Sequence, residues 1–180
     1  MALQATRLVF RVTLSNVDRG INREEPVNLA RHPSETQNHV ILRMLAWCLF
    51  YREGLEFGPG LSAPDTPDLW ARDLTGRVTS WIECRAVESD RLKKIVNGSG
   101  AAEIAFVLDD PRRAQALVAE LAGWKRNPEH VSVWLIEAPL VAALAAREDR
   151  QHKWQVTYVG DHFYIDANGE SLNGAVTRLR

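Results

Sequence analysis

Two apolar runs constrain this chain most. Ile104-Ala105-Phe106-Val107-Leu108 and Val131-Ser132-Val133-Trp134-Leu135-Ile136 each have the length of a strand and almost no polar alternation. A strand with one wet face alternates apolar and polar residues, so these two read as strands covered on both faces. Between them, Asp109-Asp110-Pro111 caps an amphipathic helix carrying Ala114, Leu117, Val118 and Leu121, which ends near Gly123. A second helix over residues 139–148 presents Leu140, Val141 and Leu144 as its apolar side. Buried strands linked by helices predict a mixed α/β domain whose central mixed β-sheet is flanked by helices.

The ends of the chain read differently. Residues 5–14 alternate, with Leu8, Phe10, Val12 and Leu14 on one face, as in a half-buried strand. Asp18-Arg19-Gly20 is a turn signal and residues 27–31 can return as a second strand, making an N-terminal hairpin. Residues 154–159, 161–166 (around a Gly160 turn) and 171–179 return to β structure at the other end. After the first hairpin, Ser34 is the expected helix N-cap and Gln37 completes a capping box. Glu35 then falls at the positive end of the helix dipole. Ile41, Met44, Leu45 and Cys48 form the buried face, and Gly54 stops the helix.

With 180 residues, 46% of them hydrophobic and 25% charged, the chain can bury one core as a single domain over residues 1–180. A net charge of −1 argues against broad electrostatic binding to nucleic acid or membranes, while leaving room for a local basic cleft. Cys48 and Cys84 have no metal-ligand spacing and read as free thiols in a reducing compartment. The N-terminal residues lack a signal-peptide pattern, and no apolar run spans a bilayer, so a cytoplasmic location without a membrane partner is expected. The five histidines form no zinc motif, and no phosphate-cradling glycine loop precedes a helix.

Chemistry concentrates in residues 67–94. A Gly- and Pro-rich loop over residues 58–67 leads into strands at residues 68–71 and 78–82, joined by a Leu74-Thr75-Gly76 turn, and then into a helix. Asp73 ends the first strand, Glu83 ends the second, and Lys93 and Lys94 lie one helical segment later. Two hard oxygen ligands can hold Mg²⁺ to activate a water, and a lysine can steady the charge on a phosphate. Acidic residues at strand ends are also commonly solvated. Glu35, His39 and Arg43 recur every fourth residue as a polar stripe, with Arg31 and His32 facing the same region.

Arg31-His32-Pro33-Ser34-Glu35-Thr36, continuing to Arg43-Met44-Leu45-Ala46-Trp47, resembles the signature of the bacterial YaeQ family. The resemblance resumes at Leu69-Trp70, Trp81-Ile82-Glu83 and Val131-Ser132-Val133-Trp134 and covers nearly the whole chain in matching order. It implies a restriction-endonuclease-like core similar to the PD-(D/E)XK nucleases, here with extra N- and C-terminal β-hairpins. It further implies a Mg²⁺-dependent phosphodiesterase acting on nucleic acid. Asp73 and Glu83 would be the metal ligands, Glu35 an auxiliary ligand or water-orienting base, and Lys94 or Lys93 the charge stabiliser.

One departure matters: the motif lysine, two residues after the second acid, is replaced by Arg85. Arginine stabilises anions but does not deprotonate, so it is a poor general base. Family members typically carry a glycine there, then a proline and acidic residues, where this chain has Arg85-Ala86-Val87-Glu88. Two other readings therefore stand beside the nuclease. One is an inactive module using the same polar cleft, with Arg31, His32, Arg43 and Arg85, to bind nucleic acid or a protein. The other is a buried salt-bridge network pairing Glu35 and Glu83 with Arg31, Arg43 and Arg85.

Overall fold

The computed structural model describes residues 5–60, 63, 65–147 and 149–180. Glu148, expected to end the fourth helix, and residues 61, 62 and 64 of the Gly- and Pro-rich loop lie outside them, as do residues 1–4.

The described strands form one ten-stranded mixed sheet. Strands β1 (Thr6–Asn16) and β2 (Ile21–Arg31) make the first antiparallel hairpin, turning through a short 3-10 segment to Gly20, whose φ of 63° favours glycine. On its other edge β1 pairs in parallel with β8 (Gln151–Val159), which continues antiparallel into β9 (His162–Ala167) and β10 (Glu170–Arg178). Strand β10 changes partners along its length, leaving β9 after Ala175 and joining β7 (Val131–Ile136) through Val176–Arg178. From β7 the sheet runs in parallel through β6 (Glu103–Leu108) to β5 (Val78–Glu83). It then continues antiparallel to β4 (Leu69–Arg72) and the two-residue β3 (Glu56–Phe57). The terminal hairpins are thus not additions to a core but half of one continuous sheet, because β1 pairs with β8 and β10 bridges to β7.

Four helices are described: α1 (Gln37–Phe50), α2 (Ser89–Gly98), α3 (Pro111–Ala122) and α4 (Ala138–Ala145). One core joins α1 and α4 to the sheet through Phe10, Leu45, Val141 and Trp154. A second core on the opposite face packs Leu92 of α2 and Leu117 of α3 on β6. Strand β6 explains its own sequence: Ala105 and Val107 enter the first core, Ile104, Phe106 and Leu108 the second. Continuous apolarity is what a strand between two cores requires. No helix among the described residues is long and apolar enough to cross a membrane.

Helix α1 corrects two expectations. Its N-cap is Thr36, whose hydroxyl accepts the His39 N–H, rather than Ser34. Ser34 is held instead by the His32 ring, with Nδ1 2.6 Å from its Oγ. The helix ends at Phe50 as Tyr51 leaves helical backbone, four residues before Gly54.

Candidate functional site

The ends of three elements meet above the β4–β5 edge: the turn into α1, the start of β4 and the end of β5. Glu35 lies in the turn before α1, and its carboxylate faces inward. Its oxygens accept from His32 N–H at 3.1 Å and from Arg43 Nη1 at 3.1 Å, and His39 Nδ1 lies 2.7 Å away. Arg43 is itself 1% exposed and reaches the Ala30 and Gly58 carbonyls as well. A guanidinium so buried is tolerable only because a carboxylate and carbonyls satisfy it. Arg31 joins from the end of β2, donating from Nε to the Glu35 carbonyl.

The second acid of the cluster is Asp68, which the sequence reading passed over in favour of Asp73. Antiparallel pairing decides this. Leu69 pairs with Ile82 and Arg72 with Val78, so the start of β4, not its end, lies beside Glu83. Asp68 is 1% exposed and accepts the Cys84 N–H at 2.8 Å. His39 Nε2 approaches its Oδ1 to 3.2 Å, an ion-pair contact without hydrogen-bond geometry. Asp73 sits at the far end of the hairpin, exposed, with Oδ1 accepting from Thr75 N–H, Thr75 Oγ1 and Arg77 N–H. It organises the turn. A chain signal for Asp68 existed in Pro67-Asp68 placed just before the strand.

Glu83 is fully buried, and arginines occupy both of its oxygens. Arg91 Nη2 donates to Oε1 at 2.6 Å and Arg85 Nε donates to Oε2 at 3.2 Å, while Trp81 Nε1 adds a bond at 3.3 Å. Arg85 Nε is also 4.0 Å from Asp68 Oδ2, so this guanidinium stands between the two carboxylates. The lysines do not join. Lys94 pairs with Asp65 on the surface at 2.8 Å, and Lys93 lines a separate depression beside Trp124 and Lys125. Arg91, rather than the expected Lys93 or Lys94, is the residue that α2 contributes.

Electrostatics follow from this packing. Burial raises the Glu35 and Asp68 carboxyls, but their cationic and N–H partners outweigh it and hold both below the ordinary carboxylate range. Burial and the neighbouring Asp68 push Glu83 up despite its two arginines. Burial lowers His39, yet Asp68 and Glu35 more than compensate and raise it to about 9. His39 is therefore an imidazolium at neutral pH.

These residues do not fit a divalent cation as they stand. Glu35, Asp68 and Glu83 are already matched by His39, Arg43, Arg85 and Arg91. Among the described residues no group of three or more His, Cys, Asp and Glu side chains is arranged to hold a metal ion. A cavity of about 340 Å³ opens over the cluster, lined by Glu35, His39, Cys84 and Arg85 and rimmed by Asp109, Asp110 and Arg113. Asp110 is engaged in capping α3 through Arg112 and Arg113 N–H. The Arg85 side chain is 29% exposed, and Nε is its only hydrogen-bonded nitrogen among the described residues.

Known proteins share this architecture. A family model described as "YaeQ protein" matches residues 1–176. The Escherichia coli (strain K12) protein described as "Uncharacterized protein YaeQ" is 34% identical over 183 residues, 98% of this chain and 97% of that protein. The crystal structure of YaeQ protein from Xanthomonas axonopodis pv. citri superposes with a TM-score of 0.89 at 28% identity, covering 98% of each chain. The YaeQ protein from Pseudomonas syringae gives 0.87 at 26%, covering 98% of this chain and 96% of that one. The chain belongs to the YaeQ family.

Proposed function

We propose that this chain is a binding module for phosphodiester groups, built on a nuclease-like carboxylate site in which arginine takes the place of the metal. The nuclease-like part of the reading is supported by the letters of the PD-(D/E)XK motif. Pro67-Asp68 and Glu83-Cys84-Arg85 stand in motif order, and pairing of β4 with β5 brings their acids together. The observation that carries the binding part is Arg85. Its Nε lies 3.2 Å from Glu83 and 4.0 Å from Asp68, the position from which a cation would bridge the pair. Its terminal nitrogens are left to a ligand in the cavity, and a planar guanidinium fork suits two phosphate oxygens. His39, protonated at neutral pH, turns both ring nitrogens to Glu35 and Asp68 and offsets their charge on the same wall.

Hydrolysis needs an activated water, and neither Arg85 nor Arg91 can act as a base at physiological pH. Mg²⁺ would have to displace two arginines from a buried carboxylate. The test is fluorescence anisotropy with labelled single- and double-stranded oligonucleotides, at two salt concentrations, run beside a cleavage assay containing Mg²⁺. Salt-sensitive binding, weakened roughly tenfold by Arg85→Ala and accompanied by no cleavage, is the expected result. Mg²⁺-dependent cleavage that disappears in Glu83→Gln would overturn it in favour of the nuclease. Absence of binding to every oligonucleotide would leave the network a purely structural one.

A further inference from the structure

A second cavity, of about 510 Å³, lies at the opposite end of α1 from the Arg85 cleft and shares none of its residues. Its floor is Asn16, the last residue of β1, whose side chain is fully buried. The Asn16 Oδ1 accepts the Arg19 N–H at 3.2 Å, which fixes the orientation of the amide. That leaves Nδ2 as a donor with no partner among the described residues. Leaving a buried donor unpaired forfeits its hydration without replacement, so such groups are the exception in folded proteins.

The cations beside it are similarly incomplete. Among the described residues Arg19 makes one side-chain bond, from Nη1 to the Leu49 carbonyl at 3.4 Å, and has no carboxylate partner. Arg52 pairs with Glu103 through Nη2, while its buried Nε has no partner among the described residues. The acids lining the cavity are paired within it or at its rim: Asp18 accepts Gly160 N–H, Glu103 holds Arg52, and Asp161 pairs with His162. Burial and the charge of Arg52 lower the Arg19 guanidinium, and Glu103 opposes them. The opposite wall is apolar and aromatic, with Phe50 edge-on to Trp134 at 5.6 Å, Tyr158 and Val176.

We propose that this cavity is a second ligand site, taking a small anion borne on a flat apolar body. The anionic head meets Asn16 Nδ2 and the free edge of Arg19, and the body lies against Phe50, Trp134 and Tyr158. A carboxylate and a phosphate share this chemistry, so both serve as probes. The reading is independent of the Arg85 cleft and of any nucleic-acid binding there.

The experiment is an NMR titration of the full chain with benzoate and with phenyl phosphate, following the Asn16 side-chain amide and the Trp134 indole N–H. Saturable shifts of both signals, with affinity reduced roughly tenfold in Arg19→Gln, are expected. Arg19 is exposed, so this variant tests the head group without disturbing the core. Whichever probe saturates first identifies the head group. Inorganic phosphate alone, lacking the apolar body, is expected to bind more weakly than phenyl phosphate. Linear shifts to millimolar concentration with both probes, or equal affinity in Arg19→Gln, would overturn the proposal.

Discussion

His39 sits between two buried carboxylates, Glu35 at 2.7 Å and Asp68 at 3.2 Å, and its charge depends on both. Its folded pKa of about 9 lies above the ordinary 6.5. The stability it contributes is therefore complete below about pH 6.5 and is lost as pH rises toward 9. Asp68→Asn is expected to lower the His39 pKa from about 9 toward its ordinary value, read from the pH dependence of its ring proton shifts. An unchanged value would mean that Glu35 alone holds the charge. Arg43 is the structural counterpart: Arg43→Met leaves Glu35 buried without its guanidinium and is expected to cost about 3 kcal/mol in urea unfolding. A loss under about 1 kcal/mol would show that His39 suffices. The recurrence of Glu35, His39 and Arg43 at every fourth position was visible in the sequence, but the spacing suits a solvated flank as well as the largely buried cluster the fold makes of them. Asp68 and Arg91 were not legible there, because choosing between Asp68 and Asp73 requires the strand register, and choosing Arg91 means giving up the expectation of a lysine.

At the scale of elements, the cluster depends on how closely β3 approaches β4. Gly58 donates its N–H to the Asp68 carbonyl at 2.9 Å, and a Cβ there would lie 2.0 Å from the Pro67 carbonyl oxygen. No side chain fits without prying the two strands apart. Gly58→Ala should cost about 1–3 kcal/mol and, by moving Asp68, lower the His39 pKa at the same time. Destabilisation with an unaltered His39 would separate backbone packing from the electrostatics. The requirement is invisible in sequence, where Gly58 reads only as the start of a loop. By contrast, β6 and α3 followed in type and approximate place from periodicity, because they carry little local ambiguity, whereas the two-residue β3 and the first half of β2 did not. The start of α1 shows where local rules stop. Ser34 and Gln37 satisfy the capping-box pattern, but Glu35 turns inward to Arg43 and the helix begins at Gln37.

Across the whole molecule, sheet order is what the chain conceals. Nothing local indicates that β1 pairs in parallel with β8, more than a hundred residues away, or that β10 changes partners between Ala175 and Val176. That long-range closure joins both ends of the chain into one sheet and gives α1 a single core to dock on. Helix α1 carries one candidate site at each end: the Arg85 cleft near its start and the Asn16 cavity near its finish. On the proposed reading, arginines fill the position a metal would hold between Asp68 and Glu83. The decisive experiment is calorimetric titration of Mn²⁺ into the wild-type chain. No saturable heat up to millimolar Mn²⁺ is predicted for the wild type. Stoichiometric binding that vanishes in Glu83→Gln would contradict the account and restore the metal-dependent reading.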